Sequence, residues 1–410
     1  MSTSKKTLVY NGLNLFSCQV LEDIQKPREQ IIASKKVRPI IKWTGGQFEE
    51  FPMFSQYIPP FKNYYEPFFG GGGVFFALQP QGLSFLNDKS NDLARFYSLL
   101  QSPELKIELE EYAEAWESAG KFSHQIIQIL SAHFNDFVRD KLSFEEMKQL
   151  ISSAVLQLAE QDFEPLFNDD FIINKHQFIL KLKASLADKF KRIKAICAKE
   201  NRIFNIDELE EHIETGVRSG LYLYLRTIMN KHALGTINLN KAKATANWYF
   251  VREFCYASMF RYNRNKEFNI PYGGIAYNSK NFRLKVENIF KPAIGKLFKN
   301  ATFYNSDFAD FLQEAKPTEE DFIFLDPPYD SEFSEYDQNA FTKEDQVRLR
   351  DTLLKTKGKW MMVIKETEFI RLLYTLPGIY FIEFDKTYTY NVRGRNNRDT
   401  KHLIIVNYQI

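Results

Sequence analysis

Two apolar runs, each halted by residues that suit a sharp turn, constrain this chain most. NYYEPFF enters four consecutive glycines, Gly70 to Gly73, and FIFL stops at Asp326-Pro327-Pro328-Tyr329. A short apolar run closed by glycine or proline reads as a buried strand that delivers its last residues to a sheet edge. VFFAL and LSFLN follow the glycines, while WMMVI (360–364), YFIEF (380–384) and HLIIVNY (402–408) follow the prolines. Strand-like runs alternating with helical or loop stretches predict an α/β sheet, with its halves at opposite ends of the chain.

The stretch between these halves is different. LKIELEEYAEAW, HQIIQILSAHFNDFV and FILKLKASLADKFKRIKAI place apolar residues three and four apart, so residues 103 to about 234 read as mostly helical. Ser143 with Glu146, and Asn205 with Glu208, have the spacing of helix-start capping boxes. From 235 to 300 the chain becomes polar, basic and aromatic. The expected organisation is an N-terminal extension (1–36), a first part of the sheet domain (37–102), a helical insert (103–214), a basic aromatic-rich region (215–300) and a second part of the sheet domain (301–410).

A formal net charge of +2 looks neutral, yet the charge is uneven along the chain. Residues 211–300 carry 15 basic and 5 acidic side chains, whereas 101–210 carry 14 and 20. A concentrated basic block favours a polyanionic partner. With 44% hydrophobic residues, composition excludes a disordered or collagen-like chain. Cys18, Cys197 and Cys255 lie far apart with no CxxC spacing, which argues against a disulfide framework and fits a reducing compartment. No apolar run approaches the roughly 20 residues of a membrane span, and the first residues lack a signal peptide's apolar core. The expectation is a cytoplasmic protein without membrane association. Its six histidines show no metal-ligand spacing, so no metal site is expected.

Three motifs carry chemistry. A glycine-rich turn between strand and helix lets backbone approach a ligand at the helix N-terminus. Asp88 ends the next apolar segment, 15 residues beyond Gly73, where an acidic residue can accept from ribose hydroxyls. The glycines alone fit a flexible turn equally well, with Asp88 as a helix cap. Asp326-Pro327-Pro328-Tyr329 combines a carboxylate, carbonyls freed of N–H neighbours and an aromatic face, a set suited to a planar group bearing NH2; alone it also reads as a rigid turn. Lys42-Trp43-Thr44-Gly45-Gly46-Gln47 reads in isolation as a tight turn beside a tryptophan.

Taken in order, these motifs resemble the D12 class of DNA adenine-N6 methyltransferases, the group that includes the Dam methylases. The resemblance is carried by KWTGGQ, EPFFGGGGVFF, NDKSNDL (87–93), RYNRNKEFNIPYGG (261–274), NSDFADF (305–311), DPPYD, QNAFTKEDQ (338–346) and YNVRGRNNRDTKHLIIVNY. It covers about 38–100 and 215–410, and implies a Rossmann-like doubly wound, mostly parallel methyltransferase sheet with an inserted DNA-recognition domain. S-adenosylmethionine is the implied cofactor, held by Trp43, Gln47, Glu66, Pro67, Phe68, Gly70, Gly72, Asp88, Asp307, Phe308 and Asp326. Asp88 is implied to hold its ribose and Asp307 with Phe308 its adenine. Asp326, Pro327, Pro328 and Tyr329 are the implied catalytic residues, meeting an adenine flipped from double-stranded DNA. Arg261, Asn263, Arg264, Asn265 and Lys266 are the expected DNA contacts. A cognate restriction endonuclease is a possible partner, and neither oligomeric state nor target sequence follows from the residues.

Three departures stand out. Gln47 occupies a position where the family usually has lysine. About 30 residues between LYLYLRTIMN and RYNRNKEFN do not align by eye. Residues 103–210, with net charge −6, have no counterpart in compact family members and suggest a structural or protein-contact role. A cytosine-N4 or RNA adenine methyltransferase and a non-catalytic DNA-binding relative are the alternatives. Intact Asp326 and Tyr329 weigh against the last.

Overall fold

The computed structural model describes residues 9–11, 37–43, 46–259, 261–328, 341–387 and 399–410. The chain divides into two compact units, Met1–Ser98 with Pro292–Ile410, and Leu99–Lys291. The first unit opens with β1 (Val9–Asn11), α1 (Phe51–Phe54), β2 (Tyr64–Glu66), α2 (Gly73–Leu78), β3 (Ser84–Asn87) and α3 (Asn91–Ser98). The second is helical: α4 (Pro103–Val138), α5 (Phe144–Ala159), α6 (Asp169–Ile172), α7 (Lys175–Glu200), α8 (Ile206–Ala233), α9 (Lys241–Phe254) and α10 (Phe282–Ile289). The chain then returns to the first unit. There it forms α11 (Pro292–Phe298), β4 (Ala301–Tyr304), α12 (Phe308–Ala315), β5 (Phe322–Leu325) and α13 (Lys343–Lys355). It closes with β6 (Lys359–Lys365), α14 (Glu368–Tyr374), β7 (Tyr380–Thr387) and β8 (Asp399–Val406).

The strands make one sheet in the order β1-β7-β8-β6-β5-β2-β3-β4. Five of them, β6-β5-β2-β3-β4, are mutually parallel, and β8, β7 and β1 add antiparallel strands at one side. From β2 the chain builds outward to β3 and β4, then crosses to β5 and β6 on the other side. β2 and β5 therefore stand at the reversal of strand order, where a crevice opens beyond the carboxyl ends. Their register pairs Tyr64 with Phe322 and Tyr65 with Ile323, so sequence positions some 260 residues apart end at one sheet edge.

Strand β5 is buried throughout. Phe322 and Phe324 pack against Phe61, Tyr64 and Phe54 on one face, while Ile323 and Leu325 join Tyr65, Leu349, Trp360 and Met362 on the other. A strand covered on both faces reads as a continuous apolar run rather than an alternating one, which is why FIFL looks as it does.

In the helical unit both expected capping boxes form, Ser143 with Glu146 and Asn205 with Glu208. The first two expected helices merge into the 36-residue α4, because the linking ESAGKFS buries Ser118, Ala119, Phe122 and Ser123 on the same stripe. Helix α8 runs straight across the expected 214/215 boundary. Its buried residues Leu209, Ile213, Val217, Leu221, Leu225 and Ile228 form one continuous stripe, so the helical stretch and the basic stretch share this unit. Gly216 and Gly220 permit close approach to α7: a Cβ on either would lie 3.1 Å from Leu186 or Leu182. Among the described residues, no helix is long and apolar enough to cross a membrane.

Candidate active site

Strand β2 ends at Glu66, and the chain turns through Pro67, Phe68 and Phe69 into the glycine loop. Gly70 and Gly72 have φ of +51° and +68°, the left-handed region that a side chain resists. The loop needs glycine for a second reason, which is packing. A Cβ on Gly70 would lie 2.8 Å from Trp43 Cδ1, and one on Gly73 would lie 2.9 Å from the Gln47 backbone nitrogen. Trp43 and Gln47 are thereby laid against the glycine loop, although 27 residues separate Trp43 from Gly70 in the chain.

The neighbouring strand ends are tied to this loop by polar side chains. Asp88 Oδ2 accepts the Gly70 N–H at 2.8 Å, and its Oδ1 accepts the Ser90 N–H at 2.8 Å. Asn87 donates to the Pro67 and Ser306 carbonyls at 3.0 and 3.1 Å, and its Oδ1 accepts the Ser306 N–H at 3.0 Å. One amide thus links the ends of β2, β3 and β4. Asn87 was not singled out by the sequence reading, although it directly precedes Asp88.

Glu66 is buried and accepts the Tyr64 hydroxyl at 2.7 Å. Burial, aided by the charges of Asp326 and Asp88, pushes its carboxyl well above the usual range, against the pull of the Tyr64 hydrogen bond. Burial likewise raises Asp88, with the Ser90 and Gly70 N–H groups pulling it back. Asp326 follows β5 and is half-buried. Its Oδ1 accepts the Gln47 Nε2–H at 3.1 Å, and the Pro328 carbonyl accepts the Gln346 Nε2–H at 3.3 Å. Pro327 is buried and Pro328 exposed. Tyr329 lies outside the described residues.

Asp307 caps α12 by accepting the Ala309 N–H at 3.0 Å. Arg348, on α13, donates two further hydrogen bonds to Asp307, at 2.7 and 2.9 Å. Burial works against the Asp307 charge, but these bonds prevail and hold its carboxyl below the usual range. The Arg348 guanidinium also lies 4.5 Å from the Phe308 ring centre, and Phe308 itself is buried with Phe68 and Phe341 about it. Arg348 had no signal of its own in the sequence beyond its position five residues past FTK.

The expected DNA contacts lie in the helical unit. Tyr262 bridges Phe268 in antiparallel fashion, and the turn between them exposes Arg264, Asn265 and Lys266, with Arg261 exposed just before it. Asn263 is turned inward instead. Its Oδ1 accepts the N–H groups of Asn265 and Glu267 at 2.9 and 3.0 Å, and its Nδ2 donates to the Glu267 carboxylate. Three α8 residues at i, i+4 and i+8 secure this hairpin: Tyr222 and Arg226 each donate to the Ile270 carbonyl at 2.8 Å, and Asn230 pairs with both backbone groups of Phe268. Of the aromatic residues in this block, Tyr222, Tyr224, Trp248, Tyr249, Phe250, Phe268 and Tyr272 are core, whereas Tyr256 is exposed.

The family model described as D12 class N6 adenine-specific DNA methyltransferase matches residues 43–159 and 186–389. The match runs through most of the helical stretch that the sequence reading left without a counterpart. The chain is 26% identical to Type II methyltransferase M.CviBI of Paramecium bursaria Chlorella virus NC1A over 377 residues, 91% of this chain and 100% of that protein. It is 24% identical to Type II methyltransferase M1.LlaDCHI of Lactococcus lactis subsp. cremoris, covering 91% of this chain and 96% of that one. It is 22% identical to the DNA adenine methylase of Serratia marcescens, covering 88% and 96%.

Proposed function

The chain belongs to the D12 class N6 adenine-specific DNA methyltransferases, and from that premise we propose that it methylates an adenine flipped out of double-stranded DNA, with S-adenosylmethionine as donor. The observation that carries this reading is the meeting of two motifs at the strand-order reversal. Asp326 directly follows β5, which lies beside β2, and the glycine loop after β2 is packed against the segment that supplies Gln47 to Asp326.

The residues at this edge fit a cationic nucleoside donor. Glu66, Asp88 and Asp326 stand close enough for the charges of the two aspartates to act on Glu66, a setting that favours a positive group. Trp43, Gln47, Glu66, Pro67, Phe68, Gly70, Gly72 and Asp88 would hold the donor, with Asp307 and Phe308 toward its base. Bound there, S-adenosylmethionine would supply the sulfonium methyl.

The chain's own part in the reaction is orientation and electrostatics. Asp326 and the Pro327 carbonyl accept the two N–H bonds of the target amino group, which turns the nitrogen lone pair toward the methyl. As positive charge develops on that nitrogen, the Asp326 carboxylate stabilises it, and one of the two N–H protons leaves along its hydrogen bond to give the neutral methylamino product. Pro328 stiffens the rim, and Tyr329 stacks on the extruded base. Arg261, Arg264, Asn265 and Lys266 on the hairpin face phosphate or base, while Asn263 keeps the turn in shape. A cytoplasmic setting and pairing with a restriction endonuclease belong to the same proposal.

Incubation with labelled S-adenosylmethionine and duplexes of varied sequence, followed by digestion to nucleosides, tests it. N6-methyladenine is the expected product. Methylcytosine, or no transfer to any duplex, would overturn the reading.

A further inference from the structure

Two buried glutamine amides hold the rim that carries Asp326. Gln47 is 2% exposed and donates Nε2–H to Asp326 Oδ1 at 3.1 Å. Gln346, on α13, is 0% exposed and donates Nε2–H to the Pro328 carbonyl at 3.3 Å. Neither Pro327 nor Pro328 has a backbone N–H, so this rim cannot brace itself through its own donors and takes its bracing from elsewhere.

Both amides carry a cost that packing alone does not explain. Gln47 Oε1 and Gln346 Oε1 are each buried without a hydrogen-bond partner among the described residues. An unpaired buried carbonyl forfeits its hydration without return, whereas a methionine of similar length would fill the same space at no such cost. Two such groups at opposite ends of one tripeptide point to the N–H ends as the feature that matters.

We propose that Gln47 and Gln346 are paired positioning residues that clamp the Asp326-Pro327-Pro328 rim from both ends and do so without charge. This rests on the reading of Asp326 as acceptor for the target amino group. Neutrality has a consequence. A lysine at position 47 would set a cation beside the carboxylate that has to stabilise developing positive charge, and an opposite charge at that range lowers a carboxylate pKa by about 1–3 units. The carboxyls of Glu66, at the end of β2, and Asp88, after β3, share this edge with Asp326, and the charges of the two aspartates act on Glu66.

The test uses the full chain with S-adenosylmethionine and a methylatable duplex, and measures kcat and KM across pH for Gln47→Met, Gln346→Met, their double variant, Gln47→Lys and Gln47→Glu. Rates are counted per active site from a single-turnover burst, which removes misfolded protein from the comparison. Each methionine variant should lose about ten- to a hundredfold in kcat, with KM for DNA moving less than about threefold in both and KM for the donor moving less than about threefold in Gln346→Met, whose side chain is not among those that hold the donor. The double variant should lose less than the product of the two, because both amides act on one rim. The acid limb of the kcat profile should move down in pH for Gln47→Lys and up for Gln47→Glu. Methionine variants with kcat within twofold of the parent, or an acid limb that stays put in both charged variants, would overturn the clamp. Asp326→Ala separates this failure from that of the underlying reading. Transfer retained in Asp326→Ala removes the role of Asp326 itself, whereas an inactive Asp326→Ala beside fully active methionine variants removes only the clamp.

Discussion

Replacing Asn230 with alanine should loosen the basic hairpin without unfolding the helical unit that carries it. Asn230 pairs with Phe268 as a strand would: its Nδ2–H donates to the Phe268 carbonyl at 3.0 Å, and its Oδ1 accepts the Phe268 N–H at 2.9 Å. Each such bond contributes about 1 kcal/mol net, but Phe268 is buried, and stranding its two backbone groups costs about 1–3 kcal/mol apiece. Alanine returns about half a kcal/mol in helix propensity at an α8 position. The balance is a local loss of about 2–4 kcal/mol, confined to the hairpin because Tyr222 and Arg226 still secure Ile270. Hydrogen exchange at the Phe268 amide reads this directly. At about 1.4 kcal/mol per factor of ten, exchange should quicken by about thirtyfold or more, with amides inside α7 and α8 little changed. Asn230→Asp, which keeps the acceptor and loses the donor, should fall between. On the proposal that this hairpin contacts DNA in its ordered form, DNA affinity should drop with the fraction of time the hairpin is open. Unchanged exchange at Phe268 in Asn230→Ala would refute the claim that this side chain secures the hairpin.

Three further outcomes are expected. Glu66 has its carboxyl raised by burial and by the charges of Asp326 and Asp88, so above about pH 4.3 the unfolded chain has released a proton that the folded chain keeps. Its contribution to stability is therefore complete at low pH and shrinks as pH rises toward the folded value. Glu66→Gln should accordingly raise Tm more at pH 8 than at pH 5, and equal shifts at both would contradict the burial argument. Replacing Arg261, Arg264 and Lys266 together with alanine should flatten the dependence of log Kd for DNA on log salt by roughly one unit per residue removed; a slope identical to the parent's would move the phosphate contacts elsewhere. Gly72→Ala forces a side chain into φ +68° and against the Phe69 ring, 2.5 Å from Cζ, and should cost about 2–4 kcal/mol in denaturant unfolding.

The strands and helix starts were legible because local chemistry decides them. FIFL is apolar throughout since β5 is covered on both faces, and Ser143 and Asn205 cap helices with side chains that reach only three residues ahead. What local chemistry does not decide was harder to read. Gly70–Gly73 suggests approach to a ligand, yet part of its necessity is Trp43 and the Gln47 backbone packed upon it, a contact that strand order creates. Asn263 was expected to contact DNA from its place in the family-like RYNRNKEFNIPYGG, but an asparagine at the start of a tight turn satisfies backbone N–H groups two and four residues on. Gln346 and Arg348 sit on an amphipathic helix that marks neither, because only α13's position over the ends of β4 and β5 gives them partners.

The same reasoning explains how a sheet can tolerate a whole helical unit within one of its connections. β3 and β4 are parallel neighbours paired from Ser84–Ala301 to Asn87–Tyr304, so a crossover must join them, and Leu99–Lys291 lies inside that crossover. A flexible loop of that length would make closure entropically costly, and the cost grows with length. A folded insert avoids this if its own ends meet. They do: the Gln101 side chain, three residues into the unit, donates to the carbonyl of Ile289, near its exit. To the sheet, the inserted unit then behaves as a short connection rather than a long one. α3 and α11 can flank it as the ordinary helices of a βαβ crossover, and the strand ends that carry Asp88 and Asp307 keep their register beside β2. That register, not the identity of the insert, is what places the two aspartates at the edge occupied by Glu66 and Asp326.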